Sequence, residues 1–164
     1  LSFVEAIDPS WKALGDFAMG MKAKWKTDFW AEKKIPRWLR YGAASYVERF
    51  MKNPEAAEGA DPWTLRTFAL AELKKGGGLR KLDDVFSFKL DLKDIPGSSR
   101  LYQEAGLVVS YLLDGAPGKD VVAKLDAFRA ALKTGKKEDV TKAADALEKA
   151  LVKSDKDLRK FGGL

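Results

Sequence analysis

Apolar residues return at steps of three and four from Trp11 onward. Trp11, Leu14, Ala18, Met21 and Trp25 draw one stripe, which predicts a helix to about Lys26. Asp8-Pro9-Ser10 ahead of it offers a cap and an early proline. After Lys33-Lys34-Ile35, Pro36 opens a second expected helix to about Lys52, with Leu39, Ala43, Tyr46, Val47 and Phe50 as its stripe and Asn53-Pro54 as its stop. A third begins at Asp61-Pro62, runs through Leu65, Phe68, Ala69 and Leu73, and halts at Gly76-Gly77-Gly78.

The segment 79–96 is less regular. Alternation in Val85-Phe86-Ser87-Phe88-Lys89-Leu90-Asp91-Leu92 favours a short extended run near 85–92, with a short helix as the other choice. Gly97-Ser98-Ser99 then leads into a strong helix from Arg100 to about Asp114, broken by Gly115-Ala116-Pro117-Gly118. Helices at about 119–133 and 136–152 follow, and a short one near 155–160 precedes Gly162-Gly163. The pattern predicts an all-α protein of about six helices in one domain spanning 1–164. The chain starts at Leu1 rather than Met, which fits a processed chain or a piece of a longer one.

Composition narrows the chemistry. Hydrophobic residues at 46% and charged residues at 33% are values of a globular domain, able to bury a core without staples. No apolar run reaches the length of a membrane-spanning helix. The chain has no cysteine and no histidine. It therefore lacks thiolate and imidazole ligands, and serine–histidine or cysteine–histidine catalysis is impossible within it. The acidic run Asp83, Asp84, Asp91 and Asp94 reads as solvated carboxylates in a lysine-rich region. Gly76-Gly77-Gly78 is no phosphate loop, because no Gly-Lys-Ser/Thr ending follows it.

The net charge is +6, from 30 basic and 24 acidic residues that are interleaved along the chain. The densest basic cluster is Lys22, Lys24, Lys26, Lys33, Lys34, Arg37 and Arg40. With Trp25 and Trp30 available to stack, it offers an alternative function as a module for nucleic acid or an anionic surface.

One segment is distinctive: Pro36-Arg37-Trp38-Leu39-Arg40-Tyr41-Gly42-Ala43-Ala44-Ser45-Tyr46. It resembles the second motif of the peptidase MA-like gluzincins, zinc metallopeptidases whose pattern is Pro-x-Trp-Leu-x-Glu-Gly-Leu-Ala-Glu-Tyr. Pro36, Trp38, Leu39, Gly42, Ala44 and Tyr46 match that pattern. Tyr41 stands where the family has its zinc-binding glutamate. Each match has an ordinary packing use as well. Proline suits a first helical turn, Trp38 and Leu39 supply buried area, and Gly42 and Ala44 allow a close neighbour.

The resemblance extends to both sides. In the family the preceding helix carries His-Glu-x-x-His, with both histidines on one face. At that distance upstream this chain has Asp16 and Gly20 at the histidine positions and Phe17 at that of the general base. A register one residue later gives Phe17, Ala18 and Met21. Downstream, Leu101 to Leu113 followed by Gly115 is similar to a later family helix, with Tyr102 as a possible cleft tyrosine. The two helices around Gly135 are similar to the family's helical tail.

What the resemblance implies is the helical half of a gluzincin without its sheet, from about 10 to 155. Its vestigial cleft would lie at Asp16, Phe17, Gly20 and Tyr41. Zinc needs three ligands and a base to activate water, and none stands at the matching positions. The expectation is a pseudo-peptidase with no cofactor, kept as a structural or protein- and peptide-binding domain. Such domains are often bacterial and exported, so the resemblance leans towards an extracytoplasmic place.

Overall fold

A computed structural model describes residues 35–48, 71, 73–87, 93–134 and 136–164. These residues form helices and short connections, with no strand among them, so the protein is all-α as the patterning predicts. In chain order the helices are α1 (Arg37–Glu48), α2 (Leu82–Ser87), α3 (Ile95–Asp114), α4 (Lys119–Thr134), α5 (Lys137–Lys153) and α6 (Asp155–Gly162). No described helix is long and apolar enough to cross a membrane. The expected helix at 11–26 lies outside the described residues, and of the one expected from Asp61 to the glycine run only 71 and 73–75 are described, all of them helical.

The described residues gather into two compact units. One contains Ile35, α4 and α5 as far as Ala150; the other contains 36–118 and 151–164. In the first unit each helix buries one stripe. On α4 it is Val121, Leu125, Phe128 and Ala131; on α5 it is Val140, Ala144, Leu147 and Ala150. Both run at steps of three and four, the period of an amphipathic helix. The other faces carry charge, including an Asp126–Arg129 pair at 3.0 Å.

The second unit is organised around α3. Residues 104–112 of α3 are buried all the way round, as expected of a central helix. α1, α2 and α6 all pack against it, and α2 also touches α1. The start of α3 differs from the expectation. The helix begins at Ile95, five residues before Arg100, because the Asp94 side chain accepts from the Gly97 N–H at 3.0 Å and Pro96 fits the first turn.

Of the two choices for the segment near 85–92, extended run or short helix, the helix is the one seen in its described part. Residues 82–87 are helical, and Leu82 and Val85, three apart, are the ones buried. Asp83 and Asp84 favour its N-terminal turn electrostatically. The Ser87 hydroxyl donates to the Asp83 carbonyl at 2.8 Å. The remaining positions, 88–92, lie outside the described residues.

The triple glycine acts as the expected helix stop. Gly78 N–H bonds the Leu73 carbonyl at 2.7 Å and Gly77 N–H the Lys74 carbonyl at 3.2 Å. That pairing needs a left-handed residue, and Gly77 has φ 87°.

Candidate functional site

The motif segment folds as α1, and its matched residues are mainly used in packing. Trp38 is 1% exposed and Leu39 fully buried. The Trp38 ring lies 4.9 Å from that of Phe86, tilted by 42°. Arg40 N–H bonds the Pro36 carbonyl at 3.2 Å, so the helix starts at the proline as the sequence implies. Tyr46 is buried and donates its hydroxyl to the Asp114 carboxylate at 3.2 Å. Ala44 is exposed.

Two glycines let α1 and α3 approach closely. A methyl built on Gly42 would sit 2.7 Å from Val109 Cγ2 and 2.8 Å from the Ala105 carbonyl carbon. One built on Gly106 would sit 2.7 Å from Ser45 Cβ. Each helix therefore presents its glycine to a side chain or backbone of the other.

Tyr41, at the family's glutamate position, is half-buried, and the Arg40 guanidinium carbon lies 5.3 Å from its ring centroid. This distance allows a cation–π contact. Arg37 is exposed, one turn before Tyr41. Tyr102 is half-buried on α3. Asp16, Phe17 and Gly20 lie outside the described residues, as do Lys22, Lys24, Lys26, Lys33 and Lys34 of the basic cluster. Only Arg37 and Arg40 of that cluster are placed.

The groups at the motif positions do not fit a zinc centre of the gluzincin kind. On the resemblance drawn from the sequence, a phenol would stand where the pattern has its ligating carboxylate, and the upstream positions carry carboxylate, phenyl and hydrogen where the pattern has imidazole, carboxylate and imidazole. Among the described residues no three carboxylates stand together as a set of metal ligands.

A second cluster escaped the sequence reading. Glu104 is fully buried in α3 and takes donors from two arginines. Arg80 Nη2 and Nε lie 2.5 and 2.7 Å from Oε2, while its backbone N–H reaches Oε1 at 3.2 Å. Arg100 Nε meets Oε1 at 3.1 Å and its Nη2 donates to the Gly78 carbonyl at 2.9 Å. From α6, Arg159 donates to the carbonyls of Leu79 and Arg80 at 2.7 and 3.0 Å and pairs with Asp155 at 2.7 Å.

These bonds satisfy the backbone of the 78–80 connector without a strand or helix partner. Chemically the cluster is a clasp. Both Glu104 oxygens are engaged by donors, and arginine does not give up its proton in proteins. The available signal was a glutamate set inside the apolar run Leu101–Leu113, with Arg100 one turn before it.

No family profile matches this chain, and neither does any curated protein or solved structure.

Proposed function

We propose that this protein is a non-catalytic, peptidase-like helical domain whose role is to bind a protein or peptide partner. The observation that carries the reading is Tyr41. A phenol occupies the position of the metal-binding glutamate, inside a segment most of whose other motif residues are used in packing, Ala44 being exposed instead of meeting a close neighbour. Trp38, Leu39 and Tyr46 are buried and Gly42 lies against α3. The chain has no histidine or cysteine to rebuild a zinc site elsewhere.

In this reading the domain keeps the shape of a peptidase half and has lost its chemistry. The bacterial, extracytoplasmic placement belongs to the same proposal, since it comes from the resemblance alone. The test is metal content by elemental analysis of the purified protein, paired with cleavage of a general peptide library. The expected result is no stoichiometric zinc and no cleavage. Stoichiometric zinc with cleavage sinks the reading.

A further inference from the structure

We propose that α6 is an exchangeable element. It leaves its own α3 and takes the same seat on a second copy of this chain, and the second copy does likewise, giving a closed two-fold dimer. This goes beyond the binding role proposed above and does not rest on it.

The seat is made of few groups, all within the compact unit of 36–118 and 151–164. α6 packs on α3 with Leu158 fully buried. Gly162 lies against Leu107, whose Cδ2 a methyl there would meet at 3.1 Å. The Phe161 ring stands 5.8 Å from that of Tyr111. Arg159 closes the seat by donating to the carbonyls of Leu79 and Arg80. A second copy carries an identical seat, so each of these contacts can be remade between chains.

The junction supplies the reason to exchange. Ser154 alone separates Lys153, the last residue of α5, from Asp155, the first of α6. Its φ of −94° and ψ of 10° differ from helical values mainly in ψ, by about 50°. The Ser154 side chain makes no capping bond to α6; its hydroxyl is paired with that of Tyr111 at 2.8 Å. Asp155 Oδ1 is buried without a hydrogen-bond partner. α6 therefore starts without the bond that a serine at this position ordinarily gives a helix.

Turning Ser154 into the helical region joins the last turn of α5 to α6 in one helix. The first N–H groups of α6 then bond carbonyls of α5, and no nucleation cost falls on an eight-residue helix. A one-residue junction has no slack. Once straight, it carries α6 off its own α3, and the seat is filled by the other copy. Short hinge connections favour exchange for this reason. Opposing it is the loss of freedom on association, so the separate chain prevails when dilute and the exchanged dimer when concentrated.

The experiment is size-exclusion chromatography with light scattering on the full chain, from micromolar to millimolar concentration, after warming enough to release α6 by local opening. A dimer whose share rises with concentration is expected. Ser154→Ala and Ser154→Gly lose the Tyr111 bond alike and differ in helix preference. The alanine protein should therefore dimerise more tightly, by at most about fivefold at each junction and up to about 25-fold in an association constant that contains two junctions. Far-UV circular dichroism checks that both variants are folded.

A wild-type chain that stays monomeric at millimolar concentration after warming overturns the proposal. So does a dimer formed equally by the alanine and glycine proteins, since the copies would then be joined through some other face.

Discussion

Replacing Gly42 by alanine sets two physical effects against each other. In an isolated helix the change stabilises by about 0.8–1 kcal/mol, because glycine pays more backbone entropy. At this position the new methyl would meet Val109 Cγ2 at 2.7 Å and the Ala105 carbonyl carbon at 2.8 Å. Comfortable carbon contacts lie at about 3.5–4.0 Å, so roughly 1 Å must be found. Val109 is buried and closely surrounded, and Ala105 contributes backbone from the middle of α3. Neither can rotate away. α1 must lift or slide, which loosens the seats of Trp38 and Leu39.

Overpacking of a tight core costs about 1–3 kcal/mol, and the upper half applies where backbone is struck. Subtracting the propensity gain leaves a net loss of about 1–2 kcal/mol. With a urea slope of about 2 kcal/mol per molar, the middle of the usual range, the midpoint should fall by about 0.5–1 M. Urea unfolding followed by far-UV circular dichroism reads this directly. Adding Val109→Ala should recover only part of the loss, since the Ala105 backbone stays in place. A Gly42→Ala protein with a raised midpoint would refute the close α1–α3 crossing, because propensity alone would then govern the site.

Three further outcomes follow from the clasp and the connections. Glu104→Gln removes the carboxylate shared by Arg80 and Arg100 and should cost about 2–4 kcal/mol, below the range for a fully buried pair because those side chains are 28% and 35% exposed; an unchanged urea midpoint would contradict the clasp. Arg159→Lys keeps the charge but cannot span the Leu79 and Arg80 carbonyls together, so thermal unfolding should register a loss of about 1–2 kcal/mol. Ala116 has φ 48°, a left-handed conformation that favours glycine. Ala116→Gly should therefore raise stability by about 0.5–1 kcal/mol, and a lowered midpoint would count against strain there.

The helices were legible in the sequence to the extent that their apolar residues keep one period. α4 and α5 carry clean stripes, and both fall within a residue of the expected limits. The start of α3 was misplaced because Gly97-Ser98-Ser99 looks like a break. Asp94 reaches past it to cap the turn, and a capping bond is a matter of geometry more than of composition. The sequence from Phe86 onward alternates as a strand would, yet within the helix 82–87 the residues that find a core are Leu82 and Val85. Tertiary burial outweighed local alternation there.

The candidate site divides in the same way. The packing value of Trp38, Leu39, Gly42 and Tyr46 could be read from their types and spacing, because bulk and its absence are local properties. The clasp could not. Arg80 is 24 residues from Glu104 and Arg159 is 79 from Arg80, so nothing in the chain's local pattern ties them. Only a glutamate among leucines and valines signals that cations must come from somewhere, since a buried carboxylate without partners is too costly to keep. The source of those cations is fixed by the fold.

That contrast bears on how a domain of this kind could lose catalysis and remain folded. The groups that hold α1 in place are apolar or small, and their energies come from burial and close contact. Those that a zinc peptidase needs are polar and directed at a metal. In the proposed reading the two sets share one helix but not one face. Trp38, Gly42 and Ser45 turn towards the packed side, while Arg37, Tyr41 and Ala44 follow the outward one. Substitution along the outward side can then exchange carboxylate for phenol and guanidinium with little cost to the core.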